Sequence, residues 1–428
     1  MMRPPWWLFL LGATGAGLAA QGGAGCVTIL GDFEQTTGAG QGGSAAGSST
    51  TTSVGGGTAG SGGSAECDAG LSPCGPSCID TQTTATDCGT CGHDCGGGLC
   101  QQGHCQPVTL HDGLDTVPYG VAAAGNAVFW ARVGAVESCP AAGCGANPPT
   151  VVNADATTGG APLTGTTIVS DGNFVEWLAY DPNMQSPGYP GPVMYGCHAA
   201  GCGGQNPTLG SATSPMAQLA LVDTTLYASI GNPGGMIRTC TIGSCSGDPL
   251  STYIASSGVD TGFGIVADAA FVYFTAGNDP VLGGAIKCPL AGCPTPASSR
   301  IQLFGHALFL AIVDGTLYSA TTDDTIVGCD AINGCGGQPN VLASSQVGIT
   351  AFVADGDRLF FAIGGSTDSA DGELRACALP DCAGGPTPLV SGEPRPVSLA
   401  VRDGFLYWAN AGLAGQTTTT AAIRRVRL

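Results

Sequence analysis

The chain has 428 residues, of which 12 are basic and 31 acidic, for a formal charge of -19 at pH 7. Such a charge repels phosphate backbones and anionic lipid surfaces, which argues against nucleic-acid binding and against direct membrane binding. With 72 Gly, 28 Pro and only 10% charged residues, and without a stretch of helical periodicity, the composition predicts an all-β fold of turns and short strands.

Residues 1–25 are typical of an export signal. Arg3 supplies a positive start, and the apolar run Trp6–Ala20 is too short to span a bilayer comfortably. No later stretch is long and apolar enough to predict a transmembrane helix. We therefore expect an exported protein.

Cys26 ends the sequence Gly-Gly-Ala-Gly-Cys, which resembles a bacterial lipobox, although Gly23 stands where the lipobox usually has leucine. The resemblance implies that Cys26 is lipidated, becomes the mature N-terminus and holds the protein at the outer membrane or cell surface. The 21 cysteines agree, because assigning Cys26 to a lipid leaves an even number in each later segment. The alternative is cleavage near Ala20 and secretion.

Residues 26–66 are almost entirely Gly, Ser, Thr and Ala beyond about residue 34. Such a segment cannot bury apolar surface, so it predicts a disordered linker that acts as a tether. O-glycosylation of its threonines is an alternative role.

Residues 67–105 contain eight cysteines and predict a small disulfide-rich module. Eight cysteines allow 105 pairings, and the spacing does not select one. The run Cys88–Cys105 resembles the stigma-specific secreted Cys-rich family of plants and modules in myxobacterial surface lipoproteins, which implies an extracellular context. Zinc is the rival interpretation, since Cys88-x-x-Cys91 lies near His93 and His104.

Residues 106–428 repeat one pattern seven times. An apolar strand ends in an Asp-Gly-like turn, an aromatic-rich strand follows, and a third strand leads into a cysteine hairpin and a fourth strand. The second cysteines lie about 48 residues apart on average, the length of a four-stranded propeller blade. The repeats resemble the Tyr-Trp-rich propellers of receptor and NHL-type families. We predict a seven-bladed β-propeller, with six or eight blades as alternatives.

The seventh repeat ends after three strands, without a cysteine hairpin. A matching fourth strand precedes the first repeat, at Pro107–His111. Because an N-terminal strand that completes the last blade closes the ring and removes an open edge, we expect this strand to close the propeller.

The aromatic pairs of the second strands are expected to pack between neighbouring blades rather than to form a ligand cage: Phe129-Trp130, Tyr273-Phe274, Phe360-Phe361 and Tyr407-Trp408.

Each cysteine hairpin brackets a turn where two positions approach closely enough for a disulfide, so we interpret the pairs as staples rather than redox sites. The pairs are Cys139/Cys144, Cys197/Cys202, Cys240/Cys245, Cys288/Cys293, Cys329/Cys335 and Cys377/Cys382.

Six acidic residues recur at one position of the repeat: Asp171, Asp223, Asp268, Asp314, Asp355 and Asp403. We interpret them as turn residues, because the backbone conformation of a tight turn favours Asp, rather than as a ring of metal ligands.

The repeats lack the local motifs of hydrolases, zinc proteases and phosphate-binding loops, and none of the five histidines has another histidine nearby. We therefore predict no catalytic residue, no metal and no cofactor. A channel site assembled from several blades is the alternative.

In an antiparallel blade, the turns between strands one and two and the cysteine hairpins share one face, which we call the hairpin face. The loops between strands two and three share the opposite face, the loop face. Irregular loops on a rigid scaffold favour binding. The longest, Leu178–Gly191 with Tyr180, Met184 and Tyr189, is the candidate recognition loop, and a solvated insertion is its alternative.

These observations predict a lipid-anchored, monomeric surface propeller that binds a protein or glycan through its loop face. The alternative is a propeller hydrolase, lyase or lactonase with a channel site. A third possibility is a structural component of the envelope.

Overall fold

The computed structural model describes most of the chain beyond residue 66, and its described residues are 29–30, 67–156, 168–180, 192–203, 208–210, 216–230, 236–245, 251–254, 261–276, 284–292, 300–302, 307–335, 338–416 and 420–428. Five short strands precede the ring: β1 (Ile29–Leu30), β2 (Ser72–Cys74), β3 (Ser77–Ile79), β4 (Cys100–Gln101) and β5 (His104–Cys105). Within the described residues, no helix is long and apolar enough to cross a membrane.

Seven sheets follow, each built on four antiparallel strands and one joined by β1 as a fifth strand, which confirms the predicted seven-bladed propeller. The next strand in the chain is β6 (Val108–Asp112). Blade 1 contains β7 (Pro118–Ala124), β8 (Ala127–Arg132), β9 (Gly134–Pro140) and β10 (Thr150–Ala156), and blade 2 contains β11 (Ile168–Ser170), β12 (Phe174–Tyr180), β13 (Pro192–His198) and β14 (Thr208–Gly210). Blade 3 contains β15 (Met216–Val222), β16 (Thr225–Ile230), β17 (Met236–Thr241) and β18 (Ser251–Ile254), with β1 parallel to β15.

The other four blades repeat this order. Blade 4 contains β19 (Thr261–Ala267), β20 (Phe271–Ala276), β21 (Gly284–Pro289) and β22 (Arg300–Gln302), and blade 5 contains β23 (Ala307–Val313), β24 (Thr316–Thr321), β25 (Ile326–Asp330) and β26 (Asn340–Ala343). Blade 6 contains β27 (Ile349–Asp355), β28 (Arg358–Ile363), β29 (Gly372–Ala378) and β30 (Thr387–Glu393), and blade 7 contains β31 (Pro396–Arg402), β32 (Phe405–Asn410), β33 (Ala422–Arg427) and, as its outer strand, β6.

The first strand of every blade contacts the first strand of the next, and β31 contacts β7, so the ring is continuous. The closing strand β6 pairs with β33 from Val108, opposite Arg425, to Asp112, opposite Ala422. It therefore lies one residue further along the chain than the sequence predicted. Leu110 of β6 is 4% exposed and belongs to the core between blades 7 and 1.

The propeller core lies between neighbouring blades. The second-strand aromatic pairs named above are all buried, as expected for residues that pack between sheets. In blades 1, 4 and 7, for example, Phe129, Tyr273 and Tyr407 lie in the same clusters as the cysteine hairpin of the following blade. A cysteine hairpin is thus both a turn within its own blade and a part of the contact with the blade before it.

The repeated acids lie at the turns of the hairpin face. Asp223, Asp314 and Asp403 adopt positive φ angles of 49°, 47° and 51°, the left-handed conformation that two-residue hairpins require. Asp171 and Asp268 instead accept backbone N–H bonds at Oδ1 from Phe174 and Phe271, at 2.7 Å each. Asp355 is the last residue of β27, and its turn is formed by the next two residues. The backbone therefore accounts for these positions.

The eight cysteines of the module form four disulfides, Cys67–Cys78, Cys74–Cys91, Cys88–Cys100 and Cys95–Cys105. Cys88 and Cys91 are therefore bonded to other cysteines and are not thiolates of the kind that bind zinc. His93 places Nδ1 2.8 Å from the carbonyl oxygen of Cys88.

The module is docked against blade 7. Arg425 of β33 donates from Nη2 to the carbonyl oxygen of Gly96 at 2.6 Å and from Nη1 to that of Ala141 in blade 1 at 2.7 Å. Its guanidinium lies 4.5 Å from the ring centroid of Phe405. The Phe405 ring packs so closely on Gly96 that a Cβ there would lie 2.4 Å from it. The module thus lies on the hairpin face, where blade 7 has no cysteine hairpin of its own.

Candidate functional site on the loop face

The candidate recognition loop is shorter than the sequence suggested. Leu178 is fully buried in the core within β12, and Tyr180 is the last residue of that strand, paired with Pro192. The loop between the strands is therefore residues 181–191. Met184, Tyr189 and the side chain of Tyr180 lie outside the described part of the structure. The assignment of a recognition loop here remains a prediction.

The described loops of blades 6 and 7 are ordered by their own polar groups. The Ser366 backbone N–H donates to Asp371 Oδ1 at 2.7 Å, and the hydroxyls of Ser366 and Ser369 lie 2.6 Å apart. The hydrogen bond from Ser366 holds the pKa of Asp371 below its usual value. The Ala414 N–H of the blade 7 loop donates to the Thr367 carbonyl oxygen at 2.8 Å, which joins the two loops. This part of the loop face is a preformed surface.

A buried ion-pair network supports these two loops. Glu393, at the end of β30, is 1% exposed and accepts hydrogen bonds at Oε2 from Trp408 Nε1 at 2.8 Å and from Asn410 Nδ2 at 2.6 Å. Its Oε1 is paired with Arg424. Because Glu393 belongs to blade 6 and its three partners belong to blade 7, the network joins the two blades beneath the loop face.

Blade 1 contains a related arrangement. Glu137 accepts from Trp130 Nε1 at 3.0 Å and from the Arg132 guanidinium at 2.9 and 2.8 Å. Arg132 also pairs with Asp115 at 2.8 Å, in the connection between β6 and β7, and the hydrogen bond to Glu137 raises its pKa. Both networks use an indole N–H, a glutamate and an arginine. Both carboxylates have all their hydrogen bonds within these networks, so they stabilise the strand ends from which the neighbouring connections leave.

The first strands, which line the axis, contribute few polar groups. In the described part of these strands, the only side chains of Asp, Glu, Lys, Arg or His are Asp355 and Arg402, at the hairpin-face ends of β27 and β31, and β7 adds the phenol of Tyr119. Other polar side chains join neighbouring blades: Ser398 Oγ accepts the Val121 N–H at 3.1 Å, and Thr350 Oγ1 donates to the Pro396 carbonyl oxygen at 2.6 Å. The described first strands therefore offer no pair of carboxylates for acid–base chemistry.

The hairpin face is held by disulfides. The structure pairs Cys139–Cys144, Cys197–Cys202, Cys240–Cys245, Cys329–Cys335 and Cys377–Cys382. Cys288 is also disulfide-bonded, and Cys293 lies outside the described residues. Two hairpins also form a hydrogen bond with the outer strand of the preceding blade. The Cys144 N–H donates to the Leu110 carbonyl oxygen at 3.3 Å, and the Cys202 N–H donates to the Val152 carbonyl oxygen at 3.0 Å.

One carboxyl group on this face was not identified from the sequence. Glu176 of β12 is fully buried and accepts the N–H of Gly243, in the hairpin of blade 3, at 3.0 Å. Its Oε2 lies 3.4 Å from Cys245 Sγ. Burial, with a smaller contribution from the charge of Asp171, raises the pKa of Glu176 to about 7 against the lowering effect of the Gly243 hydrogen bond. Glu176 could have been noticed as an acid in an aromatic-rich strand, but its disulfide neighbours lie more than sixty residues away.

Among the described residues, two groups of side chains bring three potential metal-ligand atoms within 4.8 Å of one another: Cys88, Cys95 and Cys105, and Glu176, Cys240 and Cys245. All five cysteines are disulfide-bonded, so neither group is a set of free ligands.

No family model and no curated protein matches the sequence. Among solved structures, one of the mitotic checkpoint complex is similar at 10% identity, covering 75% of this chain and 93% of that chain, with a TM-score of 0.50. The WD40 β-propeller domain of Doa1 is similar at 14% identity, covering 74% and 94%, with a TM-score of 0.48. BamB from Moraxella catarrhalis is similar at 13% identity, covering 77% and 94%, with a TM-score of 0.44. At these identities the likeness concerns the fold alone, and the strand pairing itself shows that fold to be a seven-bladed β-propeller.

Proposed function

We propose that this protein is an exported propeller, anchored by a lipid at Cys26, that binds a protein or glycan on its loop face. The observation that carries the proposal is the difference between the two faces. The hairpin face is occupied by tight turns, disulfide hairpins and the docked module, whereas the connections between second and third strands on the loop face contain no cysteine and differ in length, from one residue after β8 to eleven after β12. Long loops on a rigid scaffold are the usual location of recognition.

The polar networks under the loop face favour binding. Glu393 and Glu137 fix the positions of Asn410 and Arg132, at the ends of the second strands from which loops leave. A loop that starts from a fixed position loses less conformational entropy when it binds a partner. The surface between blades 6 and 7 is therefore already organised for recognition.

The alternative is a hydrolase, lyase or lactonase with a site in the channel. Such chemistry needs positioned acids, bases or metal ligands near the axis. The described first strands place only Asp355, Arg402 and the phenol of Tyr119 there, without a second carboxylate or a histidine, so fewer observations support this function. A structural envelope component is a third candidate, which predicts abundant protein without a soluble partner.

Export is supported by the disulfides. At least nine disulfides are described, and disulfides persist in oxidising compartments. The anchor is tested by labelling cells with a fatty-acid analogue and separating membranes from medium. The label and the membrane association should both disappear in Cys26→Ser, while the module variant Leu99→Ser, altered at an exposed side chain, should keep both. Equal labelling of Cys26→Ser would overturn the lipid assignment.

The binding surface is tested with the Cys26→Ser chain, purified from the medium, against a glycan panel and envelope extracts. In one variant a Gly-Ser segment replaces residues 181–191, and in a matched control the hairpin-face residues Gly356 and Asp357 become Asn and Gly. We expect ligands held by the parent chain to be lost by the loop variant and kept by the control. Equal retention by both would contradict recognition through this loop.

A further inference from the structure

One position of the repeat carries a different kind of side chain in a single blade. The third residue of each second strand is aromatic in six of the seven blades, at Phe129, Tyr227, Tyr273, Tyr318, Phe360 and Tyr407. In blade 2 the equivalent residue is Glu176. All seven side chains are buried, with at most 2% of their surface exposed. A carboxyl group has therefore replaced an aromatic ring at a site that excludes water.

The neighbours of this position are known from five of the other blades, where the ring belongs to the same cluster as the disulfide hairpin of the following blade. Glu176 has the same neighbour, the Cys240–Cys245 hairpin of blade 3. One carboxyl oxygen accepts the Gly243 N–H at 3.0 Å, and the other lies 3.4 Å from Cys245 Sγ. In the described part of the chain, no other hairpin disulfide has a carboxylate oxygen within 4.8 Å of both sulfurs.

The two cysteines of this disulfide differ in exposure. Cys245 is 3% exposed, whereas Cys240 is partly exposed. A nucleophile from solvent therefore reaches Cys240 more readily, and Cys245 is the sulfur that leaves. The carboxyl group lies beside the leaving sulfur, which is where a proton donor speeds the cleavage of a disulfide.

We propose that the Cys240–Cys245 disulfide is a site of thiol–disulfide exchange with a reduced dithiol, in which Glu176 donates the proton to Cys245. The dithiol's thiolate attacks Cys240 Sγ, the Cys240–Cys245 bond breaks, and its electron pair goes to Cys245 Sγ, which takes the Glu176 proton. The second thiol of the reductant then resolves the mixed disulfide, releasing Cys240 as a thiol. The reductant ends as a disulfide, and two electrons have passed to the hairpin.

The protonation state of Glu176 suits this role. Burial raises its pKa to about 7, so the carboxyl group carries its proton in mildly acidic solution. The ionisable group that faces it from its own blade is Asp171, whose charge contributes to this raised pKa. On the blade 3 side it faces the hairpin, where Cys240 and Cys245 do not titrate while bonded. The proton donor is therefore available below neutral pH and is lost above it.

The proposal is independent of partner binding on the loop face and is tested on the purified Cys26→Ser chain. Limiting dithiothreitol is added, aliquots are trapped with light and heavy alkylating reagents, and peptide mass spectrometry gives the opening rate of each hairpin. Cys329–Cys335 and Cys377–Cys382 are internal references, which cancel the pH dependence of the reductant. A positioned acid accelerates a step by about 10²- to 10⁴-fold in enzymes, so we expect Cys240–Cys245 to open at least about tenfold faster than the references at pH 6.

Glu176→Gln keeps the shape of the side chain but has no carboxyl proton, and Glu176→Phe restores the aromatic residue of the other blades. Both should lower the rate at Cys240–Cys245 to that of the references without changing the references. In the unaltered chain, the advantage should decline between pH 6 and pH 8. Opening at the reference rate, an unchanged rate in Glu176→Gln, or an advantage that does not decline with pH would each overturn the proposal. The pH series does not depend on the folding of any variant.

Discussion

Glu393 is a buried carboxylate with three partners from a neighbouring blade, Trp408, Asn410 and Arg424. Removing one member of a buried ion pair is strongly destabilising, because the other ion is then buried without a partner. At the scale of single residues, the stability of the junction between blades 6 and 7 therefore depends on this side chain more than on any surface ion pair.

Glu393→Ala is expected to lower the free energy of unfolding by about 3 to 5 kcal/mol, since it leaves Arg424 and two hydrogen-bond donors unpaired. Glu373→Ala removes the partner of Arg375 at a side chain that is 27% exposed, and should cost less than about 1 kcal/mol. Urea unfolding with the disulfides intact measures both. Equal effects would show that the Glu393 network contributes no more than a surface pair.

Glu176 should make stability depend on pH. Burial raises its folded-state pKa from 4.5 to about 7, so the folded chain holds the proton more tightly than the unfolded chain. The resulting stability is fully present below about pH 4.5 and is lost as the pH rises through about 7, a change of about 3 kcal/mol at most. Glu176→Gln should remove this part of the pH dependence in urea titrations between pH 5 and pH 8. Parallel curves for the two proteins would contradict the burial of this charge.

At the scale of strands, the closing strand β6 depends on one apolar side chain. Leu110 is 4% exposed, lies in the core between blades 7 and 1, and its carbonyl oxygen accepts the Cys144 N–H. A short outer strand has few hydrogen bonds of its own, so its attachment relies on burial of this residue.

Leu110→Ala is expected to destabilise the protein by about 2 to 5 kcal/mol through lost burial and a cavity. Val151→Ala, on the outer strand of blade 1, should change stability by less than about 0.5 kcal/mol because that side chain is 51% exposed. Both are read from urea unfolding. A loss from Leu110→Ala as small as the control would mean that β6 is not required for closure.

At the scale of the whole molecule, Arg425 connects three parts of the chain. Its guanidinium bonds the backbone of Gly96 in the module and of Ala141 in blade 1, while its own strand pairs with β6. Module and ring are therefore expected to behave as one body.

Arg425→Ala should release the module, because hydrogen bonds from a charged group contribute about 1.5 to 3 kcal/mol each. We expect amide hydrogen exchange in the module and β6 to accelerate at least about tenfold, with little change in blades 3 to 5. Arg402→Ala removes a surface arginine near the same junction and should leave exchange unaltered. Uniform acceleration across the ring would instead indicate global destabilisation.

The fold was largely predictable because its signals are local and repeated. Asp-Gly turns, aromatic second strands and cysteine hairpins recur at blade length, and the incomplete seventh repeat indicated how the ring closes. The site features were not predictable in the same way. Arg425 and Gly96 are 329 residues apart, and Glu176 and Gly243 are 67 apart, so their contacts follow from closure and from packing between blades. The pairing of the module's eight cysteines was likewise undetermined by spacing.

The hydrogen bonds of Arg425 to Gly96 and Ala141 also affect how the molecule resists a pulling force. The module is joined to the ring at the N-terminal end of β6, where Val108 pairs with Arg425 of β33. A pull applied upstream of Cys67 passes through the four disulfides without extending them and reaches this end of the strand. There it would peel β6 from β33 one hydrogen bond at a time, the weakest direction for a sheet. Arg425 fastens the module to the ring at that point, so the force is shared with blades 7 and 1 before the first strand bond opens.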